Sequence, residues 1–188
     1  MKIHIEKPAV YEAFPARKKF YYRAGYKAKQ INNLELAAKF TAVYKTGARL
    51  IQPVICWSTI PTDQAVNLLP ESFKGVQQVT LFISTIGKEI DGEISRLYQF
   101  KNPLDAMLLD AWGSESVEEL NQNFDQKLRR KKGSGTRRFS PGYQDLPLAA
   151  NNRILEFLDF SLVEASKKGI LTPAKSTICM IGWYDEQK

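Results

Sequence analysis

The sequence is poor in the residues from which self-contained active sites and metal centres are usually built. Its 188 residues include a single histidine, His4, and two cysteines, Cys56 and Cys179. A zinc site or a histidine-based triad is hard to assemble from so few side chains, and two cysteines cannot form a disulfide framework. The chain also lacks glycine-rich phosphate loops, a Gly-x-Ser-x-Gly elbow and a Cys-x-x-Cys pair. The residues therefore give no independent case for a self-sufficient enzyme.

Long apolar runs are missing as well. No segment reaches the ~20 apolar residues that cross a bilayer, and the N-terminus, Met1-Lys2-Ile3-His4-Ile5, does not resemble a signal peptide. We therefore expect a cytoplasmic protein that does not enter a membrane. With 44% hydrophobic and 25% charged residues, the composition is that of an ordinary folded chain. Its length predicts one domain that covers residues 1–188.

Hydrophobic periodicity and turn residues predict short strands mixed with longer helices. Helices are predicted at residues 17–26, 33–51, 103–132 and around 154–158, with Asn33 capping the second and Pro53 stopping it. Strands are predicted at residues 2–6, 54–57, 79–83 and 178–181. Because strands and helices do not alternate regularly, the pattern favours an α+β fold over a doubly wound parallel sheet.

Positive charge is concentrated in one segment. The chain has a formal net charge of +7. Seven basic residues, with no acid among them, lie in the basic segment 127–138: Lys127, Arg129, Arg130, Lys131, Lys132, Arg137 and Arg138. The basic segment is either a binding patch for an anionic partner, such as RNA or an acidic protein, or a solvated helix end whose cations face the negative pole of the helix dipole.

The long helix carries an acidic residue at the edge of its predicted apolar face. That face follows the three-and-four spacing of a buried stripe and consists of Met107, Ala111, Ser114, Val117, Leu120, Phe124 and Leu128. Glu118 lies directly beside it. Such an acid is usually a surface residue, and it gains a role only where a ligand covers that edge.

The loop around Arg138, at the end of the basic segment, is the best candidate for a ligand site. Arg138 presents a planar fork that can bind a carboxylate through two hydrogen bonds. Ser140 and Gly142 offer backbone groups in a turn that Pro141 favours. Tyr143 supplies a flat ring with a polar tip, which suits a heterocycle such as adenine. The alternative is a structural loop whose arginine caps a helix.

The same loop resembles a known signature. Arg138-Phe139-Ser140-Pro141-Gly142-Tyr143 is similar to the Arg-x-x-x-Gly-Tyr motif of the activation domain of cobalamin-dependent methionine synthase. Further segments resemble that domain in the same order: Arg23-Ala24-Gly25-Tyr26, Thr85-Ile86-Gly87, Asp110-Ala111-Trp112-Gly113-Ser114 with Val117-Glu118, Ile154-Leu155-Glu156-Phe157-Leu158-Asp159, and Lys175-Ser176 with Ile181-Gly182. Each segment is a weak match, but the ordered set covers most of the chain.

The resemblance implies a twisted antiparallel sheet, flanked by helices, that binds S-adenosylmethionine. In this family the cobalamin cofactor is occasionally oxidised to inactive cob(II)alamin, and one-electron reduction with methyl transfer from S-adenosylmethionine restores it. The resemblance implies that cobalamin-binding modules of methionine synthase, or another corrinoid protein, hold the cobalamin. An electron donor such as flavodoxin would supply the electron. The chain would then be a component of a methyltransferase and not a self-sufficient enzyme, because the bond-forming and redox chemistry takes place at the cofactor.

The resemblance also implies roles for single residues. Arg138 would pair with the methionyl carboxylate. Ser140 and Gly142 would contribute backbone contacts near the adenosine, and Tyr143 would complete the motif. Glu118 matches a helix glutamate that lines the family's ligand site, with Glu115 as the competing alignment.

Two other functions stay open on the sequence. The basic segment could belong to a binding module for RNA or an acidic protein, with Phe139 and Tyr143 available for stacking on bases. Nucleic acid is the less favoured of these partners. The chain could also be a degenerate member of the family that keeps the fold and acts as a non-catalytic assembly subunit.

Overall fold

The computed structural model describes residues 2–184. Within that range the helices are α1 (Arg17–Arg23), α2 (Leu34–Leu50), α3 (Glu89–Gln99), α4 (Pro103–Lys132) and α5 (Ala150–Leu158). The strands are β1 (His4–Glu6), β2 (Val54–Pro61), β3 (Gln78–Thr85), β4 (Glu164–Ala165), β5 (Leu171–Thr172) and β6 (Ser176–Trp183). Short 3-10 helices lie at Val10–Ala13, Ala28–Asn32, Thr62–Leu68 and Glu71–Phe73. None of the described helices is both long and apolar enough to cross a membrane.

Four of the strands form one antiparallel sheet in the spatial order β1-β2-β3-β6. β6 pairs with β3 along its full length, from Ser176 opposite Thr85 to Trp183 opposite Gln78. β4 and β5 form a separate hairpin that precedes β6. The α+β class predicted from the sequence is confirmed.

The side chains of the sheet alternate between two apolar clusters, one on each face. On one face, Phe82 and Ile181 pack with residues of α1, α2, α3 and α4. On the other face, Leu81 and Met180 pack with α5 and with the two 3-10 helices between β2 and β3. Since both faces are covered, β3 is buried from Val79 onward, including its polar residues Thr80, Ser84 and Thr85.

The helix α4 begins and ends where the sequence predicts. The Asn102 side chain accepts a hydrogen bond from the N–H of Asp105, Pro103 occupies the first turn, and Gly133 follows the last turn. Its buried face was predicted incorrectly in part, because Met107 is 40% exposed and Ser114 is only half-buried. The reason is that α4 packs against three helices and the sheet, so that it is buried on more than one side.

Three features were not predicted from the sequence. α3 was missed although its apolar residues, Ile90, Ile94 and Leu97, follow the i, i+4, i+7 spacing of an amphipathic helix. The β4–β5 hairpin was missed because its strands have two residues each. β2, β3 and β6 were predicted too short, because polar residues such as Ser58 and Ser84 interrupt their apolar patterns. These residues are buried in the strands, and their hydroxyls form hydrogen bonds.

Candidate functional site

The outer edge of β6 is covered along only part of its length. Residues 135–139 run beside the covered half, residues 180–183, and Phe139 exchanges two backbone hydrogen bonds with Met180 at 2.9 and 2.8 Å. The chain then leaves the strand, and residues 176–178 form the open half. In an antiparallel ladder every second residue directs its N–H and C=O to the same side. Ile178 therefore directs both groups to the open edge, where no described residue forms a backbone hydrogen bond with them.

A cavity of about 740 Å³ opens at the open half of β6. Its walls come from α4, from the loop that begins at Arg138, from the start of α5 and from the segment that leads into β6. The lining residues are Glu118, Arg138, Phe139, Ser140, Pro141, Tyr143, Gln144, Leu148, Asn151, Gly169, Ile170, Leu171, Ala174, Ser176, Thr177 and Ile178. This volume is typical of small-molecule binding sites.

Arg138 and Glu118 form an ion pair in the wall of the cavity. Nη2 of Arg138 donates to Oε2 of Glu118. The Arg138 side chain is 18% exposed, whereas that of Glu118 is 47% exposed. A guanidinium has five N–H donors, and only this one donates a hydrogen bond to a described residue. Arg138 thus keeps donors for a second carboxylate, and Glu118 keeps an oxygen for a cationic group.

The two glutamates that competed in the sequence alignment lie in different places. Glu115 pairs with Arg23 and does not line the cavity. Glu118 lines both the cavity and a smaller crevice of about 270 Å³ beside it. The crevice is also lined by Arg23, Tyr143 and Lys175. Glu118 therefore lies where the two spaces meet.

The remaining predicted site residues occupy two positions. Ser140 and Tyr143 line the cavity, with Tyr143 69% exposed on its rim. Gly142 is not a lining residue: it has φ +95°, and its N–H donates to the carbonyl of Leu146 at 2.8 Å. A β-carbon at position 142 would lie 3.2 Å from Cδ1 of Leu148. Gly142 thus shapes the turn, and its N–H is already engaged there.

Polar side chains fix the floor of the cavity. Nδ2 of Asn121 donates to Oγ1 of Thr177 at 2.9 Å, and the Thr177 and Ser84 hydroxyl oxygens are also 2.9 Å apart. The hydroxyl of Ser176 donates to Oγ1 of Thr85 at 2.8 Å. Connected hydrogen bonds of this kind rigidify a buried site. The sequence signal for this floor is the pair of polar residues, Ser176 and Thr177, at the start of an apolar strand. This signal was missed in the sequence analysis.

The segment before β6 is fastened to two helices. The N–H of Ala174 donates to Oδ2 of Asp91 at 2.6 Å. The ammonium of Lys175 donates to Asp110 at 2.7 Å and to the hydroxyl of Ser114 at 3.0 Å. These contacts, between residues far apart in sequence, hold one wall of the cavity in place.

Both cysteines are packed, as predicted. Burial raises the pKa of the Cys56 thiol to about 11 and also raises the pKa of Cys179. Both are free thiols buried in the sheet. They are therefore protonated near neutral pH, and a thiol is a far weaker nucleophile than a thiolate.

The basic segment is partly used inside the protein. Lys127 pairs with Glu6, and Arg129 pairs with Asp125 at 2.7 Å. Desolvation lowers the pKa of Lys132, whose ammonium donates to Gln78 at 2.9 Å. Phe139, considered above for stacking on bases, instead packs edge-on against Phe73 with ring centroids 6.1 Å apart.

Comparison with known proteins identifies the fold. No protein-family model matches the chain, and no curated protein sequence matches it. Among solved structures, the MetH reactivation domain bound to AdoHcy matches with a TM-score of 0.73 and 11% sequence identity. The match covers 100% of this chain and 80% of that one. The predicted likeness to the methionine synthase activation domain, an antiparallel sheet flanked by helices, is confirmed for the fold.

Proposed function

We propose that this chain binds S-adenosylmethionine in the cavity at the open half of β6. We also propose that it is a cytoplasmic reactivation subunit, one domain over residues 1–188, for a cobalamin-dependent methionine synthase or related corrinoid methyltransferase. The Arg138–Glu118 pair in the cavity wall is the observation that carries this proposal. The fold shared with a domain whose structure contains AdoHcy supports the class of ligand.

The residues of the cavity fit the chemical groups of this ligand. Its carboxylate is suited to the unused N–H groups of Arg138, in the bidentate geometry that arginine favours. Its ammonium and sulfonium groups are cations, which the Glu118 carboxylate attracts. Its adenosine would lie among apolar residues such as Leu148 and Ile170 and beside the open backbone edge at Ile178. The anionic and cationic groups of the ligand thus have matched partners.

A partner would hold the cobalamin. A cavity of about 740 Å³ suits a nucleoside-sized ligand and is too small to enclose a corrinoid. When bound, cobalamin supplies the cobalt that accepts the methyl group, and an electron donor such as flavodoxin supplies the electron. This chain's own residues would bind the methyl donor and orient its sulfonium toward the open mouth, a contribution of proximity and orientation.

Calorimetric titration with S-adenosylmethionine and S-adenosylhomocysteine tests the proposal. We expect saturable binding to the wild-type chain. Arg138→Ala should weaken it by about tenfold or more, because hydrogen bonds to a charged group are lost. Arg138→Lys should restore little, since lysine lacks the planar fork. The control is Arg137→Ala, which removes an exposed neighbour outside the cavity.

Two results would contradict the proposal in different ways. Equal affinity in Arg138→Ala and Arg137→Ala, with unchanged thermal unfolding, would remove Arg138 from the site. Absence of binding by the wild-type chain at millimolar ligand would contradict ligand binding by the isolated subunit. The degenerate, assembly-only role would then be the better account.

A second candidate function rests on the cations that the fold does not use. Arg130, Lys131 and Arg137 are exposed and form no ion pair with any residue in 2–184. Because Phe139 is packed against Phe73, this surface favours an acidic protein over RNA. Binding to either partner should weaken as salt is raised. Loss of binding in an Arg130→Ala, Lys131→Ala double variant would support this surface, and unchanged binding would exclude it.

A further inference from the structure

Asn151 has an unusual hydrogen-bonding state for a buried residue. It is 4% exposed and lines the cavity. Nδ2 donates to the carbonyl of Gly169 at 2.9 Å. Oδ1 is enclosed and accepts a hydrogen bond from none of the residues that the structure describes. Buried amide oxygens are nearly always hydrogen-bonded, so this unused acceptor in a cavity wall is available to a ligand that brings a donor.

The Gly169 hydrogen bond fixes which end of the carboxamide is the acceptor. Rotating the amide of Asn151 by half a turn would place Oδ1 against the Gly169 carbonyl, and two oxygens would then face each other. Oδ1 is therefore held as an acceptor on the side away from Gly169. The position favours a ligand that brings an N–H or O–H donor.

The surroundings of Asn151 indicate the shape of that ligand. Its backbone N–H donates to the carbonyl of Leu148 at 3.0 Å, and Ile170 directly follows Gly169. The side chains of Leu148 and Ile170 are 40% and 59% exposed. These residues line the cavity but not the crevice that shares Glu118. The amide thus lies in an apolar part of the cavity, outside the portion that meets the charged crevice, where a flat heterocycle can be enclosed.

We propose that Asn151 is a specificity-determining residue that recognises the exocyclic amine of an adenine ring. The inference rests on the proposed function and names how its ligand is selected. The amine donates a hydrogen bond to Oδ1 of Asn151. Because Oδ1 is enclosed, the ring reaches it only when a neighbouring side chain moves aside. A hypoxanthine ring, which has a carbonyl oxygen in place of the amine, would face Oδ1 with a second acceptor and be disfavoured.

The test compares S-adenosylhomocysteine with its deaminated analogue, S-inosylhomocysteine, by calorimetry. The wild-type chain should prefer the adenosyl compound by about tenfold or more. Asn151→Leu should abolish that preference. The ratio of the affinities for the two compounds is measured within each variant, so that a general loss of affinity or stability cancels. The matched control is Asn152→Ala, because Asn152 also donates to the hairpin, at the carbonyl of Ser166, but does not line the cavity.

A second readout separates failure of this inference from failure of the proposed function. Adenosine and inosine alone are titrated while the side-chain amide resonances of Asn151 are followed by NMR. Binding of S-adenosylhomocysteine without preference over the inosyl compound, or a preference that survives in Asn151→Leu, overturns the role of Asn151 only. A shift of the Asn151 amide by adenosine and not by inosine, without binding of S-adenosylhomocysteine, supports Asn151 and contradicts the proposed function. No response to any of these compounds overturns both.

Discussion

The covered and open halves of β6 belong to one strand but have different neighbours. In the covered half, residues 135–139 supply backbone hydrogen bonds, and Trp183 is 3% exposed with its indole N–H donating to Thr80 at 2.8 Å. In the open half, the neighbours are side chains of α4 and α5 and the cavity between them. Backbone groups at Ile178 are left without a partner among the described residues.

The contrast between the two halves indicates what a ligand would have to supply. A strand edge inside a protein is normally completed by another strand or protected from one. No described strand pairs with the outer edge of the open half. Two of its residues, Ser176 and Thr177, are nevertheless held in place by side-chain hydrogen bonds with Thr85 and Asn121. We therefore interpret the covered half as a contributor to stability and the open half as a binding surface. Substitutions in the two halves should separate these roles.

The largest effect is expected at Gly169, on the open side. Gly169 has φ +84°, and a β-carbon there would lie 2.0 Å from the carbonyl oxygen of Leu148. Gly169→Ala should lower the free energy of unfolding by about 3 kcal/mol or more, through strain and a backbone collision. It should also weaken S-adenosylhomocysteine binding, because the Gly169 carbonyl positions Asn151. Urea unfolding and calorimetry measure the two effects.

The control for this prediction is Gly75→Ala. Gly75 has φ +88°, and a β-carbon there meets nothing within 4 Å. It therefore reports the strain alone. If Gly169→Ala and Gly75→Ala lowered stability equally and left the affinity unchanged, the close packing of the hairpin against α5 would be shown to matter neither for stability nor for ligand binding at the open half.

A smaller loss, confined to stability, is expected in the covered half. A β-carbon at Gly135 would lie 2.6 Å from the carbonyl oxygen of Gly182 and 2.7 Å from the Trp183 ring. Gly135→Ala should lower the free energy of unfolding by about 2 kcal/mol. The affinity for S-adenosylhomocysteine should stay within about twofold of the wild type, since Gly135 does not line the cavity and shares no hydrogen-bond partner with Arg138. A large loss of affinity would show that the two halves are coupled.

The smallest effect is expected in the floor of the cavity. Thr177→Val keeps the shape of the side chain but removes the acceptor for Nδ2 of Asn121. The unpaired amide should lower the free energy of unfolding by about 1 kcal/mol. Thr59→Val is the comparison, because its partner Thr80 keeps the Trp183 hydrogen bond. Equal losses in the two variants would argue against a special role of the floor.

Local chemistry explains which parts of the fold were predictable from the sequence. α4 was predicted with its correct bounds because periodicity, Pro103 and Gly133 are all local signals. The buried side of α4 was less predictable. Met107 is exposed and Trp112 is buried, because other elements pack against α4 at Trp112 and not at Met107. Tertiary packing decides this, and periodicity within one helix does not contain that information.

The candidate site was predictable on one side only. Arg138, Ser140 and Tyr143 lie in one loop whose turn residues and arginine were recognisable, and the resemblance added Glu118. The opposite wall, with Asn151 and the hairpin, depends on contacts between segments that are distant in sequence. Nothing in the composition of that hairpin indicates that it packs against α5.

The order of strands has a consequence for the kinetics of folding. β3 and β6 are neighbours in the sheet, where Thr85 pairs with Ser176. In the sequence, however, α3, α4 and α5 all lie between these two strands. Closing such a long loop is entropically costly before the pairing is gained, and it slows folding to roughly milliseconds to seconds. The edge of β6 exists only after that closure. A ligand at this edge therefore prolongs the lifetime of the native state and leaves the rate of its formation unchanged.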